Sequence, residues 1–277
     1  MALYRLGYKI CSVSSRSYGS AEALAASVPG CSVCTTAQEV ADNSDLVFIT
    51  TPDAAIAPVA ASVRWRTGHE VVHCCGASGR DILKGAADQG ANTGAFHPFQ
   101  TFAGLESPDQ AIARLSGVTF AISAEEVLEG YLRDLAEALD GRAVTMDDEL
   151  RSLYHASAVL SCGYLVTLLQ AAVEVWQAAG FTEEEGLDAV VAVSRATLEN
   201  VARLGPKASV TGPLVRGDVA TVTRHLSALV NTKPEVAGLY AALTHQSLPL
   251  AREVGLNSDG ETVLRQELAE YGFPLPR

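Results

Sequence analysis

Asp45-Leu46-Val47-Phe48-Ile49-Thr50-Thr51-Pro52-Asp53 is the stretch on which the fold turns. Four apolar residues in a row, two of them β-branched, lie between polar neighbours and read as a strand buried on both faces. Pro52 then opens a helix, because its fixed φ suits a first helical position. A strand buried on both faces needs helices above and below it, and so needs helical crossovers to its neighbours. Working toward the N-terminus, residues 8–14 and 31–34 read as strands, with helices near 20–27 and 37–43. Working toward the C-terminus, residues 71–74, 92–96, 118–123 and 142–145 read as strands, with a helix over 125–139 before the last. The alternation predicts an α/β domain with a mostly parallel sheet.

After Thr145 the strand signals stop. Asp147 or Asp148 can cap a helix running to about residue 179, which Gly180 ends. Further helices are expected over 183–204, stopped by Gly205-Pro206, and from a cap at Asp218 to about 230. Another starts at Pro234 and should kink at Pro249, and a last one runs from a cap at Asp259 to Gly272. The domains therefore divide as 1–146, α/β, and 147–277, all helical. Residues 156–173 carry no charge and match a membrane span in length. Ser157, Ser161, Gly163, Thr167 and Gln170 make them too polar for lipid, and they read instead as a buried helix.

With 277 residues the chain can bury a sizeable core without staples. It is 48% hydrophobic and 19% charged, so it folds rather than remaining disordered. Twenty basic against 32 acidic side chains give a net charge of −12, which argues against nucleic acid as a partner. The six cysteines have no framework spacing, and the N-terminus lacks a secretory signal, so a reducing cytoplasm is expected. Cys31-x-x-Cys34 lacks a second pair at ligand spacing, and no metal is expected.

A dinucleotide-binding unit begins with a strand, a Gly-rich turn and a helix, and its second strand ends in a residue that reads the ribose. This sequence reads as opening inside that unit: residues 2–6 as the end of the first helix, Gly7 as its cap, 8–14 as the second strand. The central first strand and the G-x-G-x-x-G turn are missing from the reading. Either the chain starts late, or it descends from a cofactor binder and has lost the turn.

Several segments, in order along the chain, resemble one family. They are Ser14-Ser15-Arg16-Ser17, Thr51-Pro52-Asp53-Ala54-Ala55-Ile56, Val71-Val72-His73-Cys74-Cys75-Gly76-Ala77, Phe96-His97-Pro98-Phe99-Gln100-Thr101-Phe102, Tyr154-His155-Ala156-Ser157-Ala158 and Thr211-Gly212-Pro213-Leu214-Val215-Arg216-Gly217-Asp218. The chain is similar to Rossmann-like proteins with a C-terminal domain of unknown function 2520. These are distant relatives of pyrroline-5-carboxylate reductases and of 6-phosphogluconate and 3-hydroxyisobutyrate dehydrogenases. The resemblance implies an NAD(P)-dependent oxidoreductase fold and leaves the substrate open. Two positions depart from the family: Cys75 stands where it usually has Ser, and Gly163 where it often has Asn.

The candidate site follows from strand ends. Arg16, with Ser15 and Ser17, follows the second strand, where a guanidinium suits a 2′-phosphate, so NADP is favoured over NAD. Thr51, Pro52 and Asp53, and Cys75 with Gly76, end consecutive strands where a nicotinamide ribose could approach. His97 ends a further strand, in a loop whose polar residues are expected to keep its protonated form accessible near neutral pH, and is a candidate proton donor. His155 stands on the long helix where related dehydrogenases carry a catalytic Lys, and is a candidate donor or positioner. Gln100, Thr101, Gly163 and Arg216 are candidate substrate contacts. The expectation is an oxidoreductase moving a hydride to or from a C=O or C=N of a small metabolite between two domains, as a homodimer joined through its helices. The alternative is a non-catalytic dinucleotide- or metabolite-binding regulator on the same scaffold.

Overall fold

The computed structural model describes residues 1–271, in two compact units, 1–163 and 164–271, the second continuing in the chain to 277. The first unit opens with α1 (Ala2–Arg5), ended by Gly7 in the left-handed region at φ +87°. There follow β1 (Ser12–Val13), α2 (Tyr18–Ala26), β2 (Ser32–Val33), α3 (Ala37–Asp42), β3 (Leu46–Ile49) and α4 (Asp53–Ser62). Next come β4 (Glu70–His73), α5 (Lys84–Ala87), β5 (Asn92–Pro98), α6 (Pro108–Ala113), β6 (Thr119–Ala124), α7 (Glu126–Ala138) and β7 (Arg142–Thr145). α8 (Arg151–Ser161) completes this unit. The last strand, β7, ends at Thr145, and α8 belongs to the compact unit that holds the sheet.

The strands do not form one sheet. β3-β4-β5-β6-β7 are hydrogen-bonded in that order, parallel except for the antiparallel pair β5–β6. β1 and β2 pair only with each other, in parallel. A cavity of about 1030 Å³ runs along the facing edges, lined by residues of β1 such as Ser12 and Val13 and of β3 such as Leu46 and Phe48. The strand expected over 8–14 is thus reduced to two paired residues. With a partner on one side alone, little of it is held in a ladder.

The five-stranded sheet carries apolar residues on both faces. Val47, Ile49 and Val71 pack with Ile56, Ala60 and Trp65 on one side. Val72, Phe96, Phe120 and Ile122 pack with α7 on the other. α7 presents Leu128, Leu132, Leu135 and Ala136, spaced one, two and just over two turns apart, so one stripe is buried while Val127 stays 84% exposed.

In the second unit, α9 (Gly163–Ala178) begins at the boundary and leads to α10 (Glu183–Ser209). α10 is interrupted at Gly205 (φ +76°), where the sequence placed its end. α11 (Val219–Thr232), capped by Asp218, packs with α12 (Pro234–Glu253) and α13 (Ser258–Glu270) around Leu226, Leu248 and Leu264. α12 runs through Pro249 without a break in its helical assignment. The cap of α13 is Asn257, whose side chain accepts from the Gly260 amide, rather than Asp259, which lies in the first turn. The expected end at Gly272 lies outside the described residues.

Two expectations for residues 147–179 are corrected. The single helix breaks at Cys162, whose φ/ψ of −125°/−66° separates α8 from α9. Nor is the uncharged stretch buried. Residues 148–178 are long and apolar enough to cross a membrane by length and composition, yet few of them are buried. Leu153, Leu160 and Val166 stand 63% or more exposed, because no other element among the described residues covers them.

Leu132→Ala should cost about 2–5 kcal/mol in chemical denaturation, the range for emptying a packed core position. Val127→Ala, one helical face away, should stay within about 0.5 kcal/mol.

Candidate functional site

The carboxyl ends of β3, β4 and β5 are neighbours, so Thr51, Gly76 and His97 come to one edge of the sheet. β4 ends in His73, whose ring is fully buried and fully bonded. Its Nδ1 accepts from the Cys75 amide at 3.1 Å, and its Nε2 donates to the Gly79 carbonyl at 3.1 Å. Burial lowers its pKa to about 4, so it is neutral and holds the turn 74–79 closed. Sequence reasoning assigned it no role. Two bonds to its own turn can be seen only once the turn is folded.

Over that turn lean side chains from α8 and the segment before it. A Cβ on Gly76 would lie 2.6 Å from His155 Cδ2 and 2.8 Å from His97 Nε2, so both imidazoles press on the Gly76 backbone. A Cβ on Gly79 would lie 2.5 Å from Asp148, whose carboxylate accepts from the Arg80 amide at 3.1 Å and from Arg80 Nε at 2.9 Å. Burial pushes the Asp148 pKa up, but the Arg80 bonds outweigh this and hold it below the usual carboxylate range. Asp148 therefore serves as an ion-pair partner rather than as the helix cap its position suggests.

Arg151 is completely buried. Its Nε donates to Ser123 Oγ at 2.9 Å, and Nη2 reaches the carbonyls of Ala121 at 3.2 Å and Ala95 at 3.5 Å. Asp148 lies 3.8 Å from Nε, and Nη1 has no hydrogen-bond partner. The residue ties the first turn of α8 to β5 and β6. Three and four positions later, on the same helical face, come Tyr154 and His155.

Tyr154 and His97 make the central contact, with hydroxyl and Nδ1 2.8 Å apart. Burial raises the Tyr154 pKa to about 12, so the phenol keeps its proton and donates it to Nδ1. Burial, reinforced by His155 and Arg151, lowers the His97 pKa to about 4. This corrects the expectation of an accessible imidazolium: the group is neutral at pH 7, with its N–H on Nε2, toward Gly76. The His97 and His155 rings lie 6.1 Å apart between centroids, near perpendicular. Tyr154, part of a quoted motif, was not singled out from sequence. Its i+3 spacing from a buried arginine was the signal available.

The structure gathers His97, His155 and Gly76 at one point and leaves other candidates apart. Ser15, Arg16, Ser17, Thr51 and Pro52 line the cavity between β1 and β3, where the buried Thr51 Oγ1 has no hydrogen-bond partner. Asp53 starts α4 beside that cavity, and its charge acts on both His73 and His97. Cys75 is buried, its thiol on Ser78 Oγ at 3.6 Å. Gln100 is exposed, its side-chain amide donating to the Arg114 carbonyl beyond α6 and accepting from the Thr101 amide. Thr101 accepts from Ala103, so neither side chain is turned to the histidines. Gly163 follows the break at Cys162, and Arg216 is exposed in the second unit.

The first unit is thus a Rossmann-like α/β domain with a carboxyl-edge histidine–tyrosine cluster, followed by a helical region. Residues 1–98 match the Rossmann-like domain family, and residues 118–247 match Domain of unknown function (DUF2520). The chain thus carries a match to each of these two domains, one after the other. No curated protein matches it. Among solved structures, a protein from Bacteroides fragilis assigned as an NADP oxidoreductase superimposes with a TM-score of 0.71 at 26% identity, over 90% of this chain and 92% of that one. A protein from Thermotoga maritima gives 0.71 at 21%, over 91% and 94%. A reductive aminase from Aspergillus terreus, in complex with NADPH and ethyl-5-oxohexanoate, gives 0.65 at 17%, over 94% and 92%. At the last two identities the likeness is one of fold.

His73 and His97 set an acid limit on stability. Each has a folded pKa near 4 against about 6.5 when unfolded, so below pH 6.5 the unfolded chain gains protons that the native one refuses. Stability should be full above pH 6.5 and fall as pH drops to 4, by up to roughly 3 kcal/mol for each histidine. Urea titrations at half-unit intervals would show this slope, and His97→Gln should reduce it by about half.

Proposed function

We propose that the protein is an NADP-dependent oxidoreductase that reduces a C=O or C=N carbon of a small metabolite, or runs the reverse. The observation that carries this reading is the Tyr154–His97 pair above Gly76, at the strand ends of a Rossmann-like sheet. Bound NADPH supplies the hydride. The residues fit this cofactor in part. Arg16, Ser15 and Ser17 offer a charged donor and two hydroxyls to a 2′-phosphate, and the buried, unpartnered Thr51 hydroxyl awaits an acceptor in the same cavity. No Gly-x-Gly-x-x-Gly turn for the pyrophosphate stands among the 277 residues.

His97 acts as a neutral donor. Nε2 gives its proton to the substrate heteroatom while Nδ1 takes the Tyr154 proton, so His97 stays neutral and Tyr154 is left as a phenolate, opposed by burial and favoured by the nearby Arg151 charge, until a solvent proton restores it. His155, pressed against the same side of Gly76 as His97, positions the substrate. The B. fragilis protein, at 26% identity, supports the choice of NADP.

The reading extends to assembly and place. Large apolar side chains stand exposed on α9 and α10, Tyr164, Leu168, Leu187 and Leu198 among them, and we read these helices as the contact of a homodimer. The six free cysteines support a reducing cytoplasm.

Calorimetric titration should give NADPH at least about tenfold tighter than NADH, roughly 1.4 kcal/mol, with Arg16→Ala removing most of the difference. Equal affinities would overturn the NADP assignment. In a screen of ketones and imines with NADPH, His97→Ala should lower kcat by about 10²–10⁴-fold, and Tyr154→Phe should lower it with little change in KM. Full turnover in both variants would return the pair to a structural role.

A further inference from the structure

Arg151 carries a charge that its surroundings do not neutralise. Its hydrogen bonds run to uncharged acceptors, Ser123 Oγ and the carbonyls of Ala121 and Ala95, and its Nη1 is buried with no partner. The carboxylate beside it, Asp148, lies 3.8 Å from Nε, while both Asp148 oxygens are taken by Arg80, through the backbone amide at 3.1 Å and Nε at 2.9 Å. Two guanidinium groups thus share one carboxylate, and the three groups together keep a net charge of +1. Tying α8 to the sheet needs hydrogen-bond donors but no charge, and an unneutralised charge in a buried place is costly. Such a charge is useful where negative charge develops nearby.

The charge acts on the Tyr154–His97 pair. Tyr154 follows Arg151 by one turn on the same helical face, and its hydroxyl meets His97 Nδ1 at 2.8 Å. Arg151 draws the Tyr154 pKa down against the effect of burial and pushes that of His97 further down. Among the charges that act on His97 it outweighs the opposing Asp53, and the other groups acting there, His155 and His73, can add no negative charge. His97 Nε2 is therefore an N–H donor in a field set against cations. A carbonyl oxygen has lone pairs to accept that N–H, and it gains negative charge as hydride reaches its carbon. The nitrogen of an iminium ion has no lone pair to offer, and its full positive charge enters the same field.

We propose that the site selects a ketone or aldehyde over an iminium ion, and that Arg151 is the positioning residue that sets this choice through Tyr154. The inference rests on the oxidoreductase reading for the hydride and narrows its substrate class to C=O. A C–H bond forms at the carbonyl carbon as the C=O π bond breaks, Nε2 protonates the oxygen, and Nδ1 takes the Tyr154 proton. Two electrons pass from NADPH to the carbonyl compound, which leaves as an alcohol. The Tyr154 phenolate, favoured by the unspent Arg151 charge, then takes a proton from solvent. The reverse reaction oxidises an alcohol through the same groups.

The probes are cyclopentanone and N-methyl-1-pyrrolinium, two five-membered rings of which only the second is charged. Their binding to the whole chain is followed by NMR of isotope-labelled histidines, with NADP+ present and no hydride donor. The His97 ring signals are identified by their loss in His97→Gln. Cyclopentanone should shift the Nε2 signal saturably and bind at least about tenfold tighter than the pyrrolinium. Arg151→Lys, which keeps the charge, should keep the preference, and Arg151→Gln should remove most of it. If neither variant folds, Arg80→Gln decides. Its side chain can still donate to Asp148 but leaves that carboxylate's charge to Arg151, and it should bring the two affinities within about threefold. Pyrrolinium binding as tight as that of the ketone overturns the proposal. So does the lack of a saturable shift with either ring, or a preference that survives Arg151→Gln or Arg80→Gln unchanged. With NADPH in place of NADP+, the ratio of kcat/KM for the two rings should follow the binding ratio. A ketone preference in binding without turnover of either ring would strike the oxidoreductase reading and leave the selectivity of the site standing.

Discussion

A fully buried guanidinium is the constraint from which the site is built. Arg151 cannot shed its charge, and a charge removed from water is tolerable only when its donors find acceptors. Ser123 Oγ and the carbonyls of Ala121 and Ala95 provide them, with Asp148 nearby. Those acceptors lie on β5 and β6, so the helix that carries Arg151 is held to the sheet at its first turn. Everything the next turn carries is thereby aimed. Tyr154 meets His97, and His155 meets Gly76, because the helix has no freedom to present another face.

The same low-polarity surroundings set the protonation of the cluster. His73 and His97 are kept neutral and Tyr154 protonated, all through burial. A cluster of neutral groups suits concerted exchange of protons better than storage of charge. The positive Arg151 nearby opposes a further cation at His97 and so favours the same state.

The sequence shows the features that depend on local pattern. The apolar run at 46–49, the amphipathic spacing of α7 and the cap at Asp218 are all matters of neighbouring residues, and they appear where pattern places them. His97 and Gly76 could be placed at strand ends for the same reason. What pattern could not give is partnership across distance. Asp148 has the composition of a cap, but Arg80, 68 positions away, engages its carboxylate. His97 sits among polar loop residues in sequence, yet in space those residues bond to one another while Tyr154 and Arg151 enclose the ring. The uncharged stretch of α8 and α9 has the composition of a core helix, but composition does not say whether a covering element exists in the same chain.

The spacing of Arg151, Tyr154 and His155 has a consequence for how such a protein can change over generations. One residue inserted between Arg151 and Tyr154 would turn everything after it by about 100° around the helix axis. The guanidinium would stay in place, and both rings would swing off the sheet edge together. Length variation is therefore closed to this turn of helix, and diversification there must proceed by replacing side chains in place. The loop over residues 104–106, past the Arg114 bonds that hold the carbonyls of Thr101 and Ala103, carries no such restriction. It is the segment where chains of this architecture can gain or lose residues and still keep the histidine–tyrosine pair aligned.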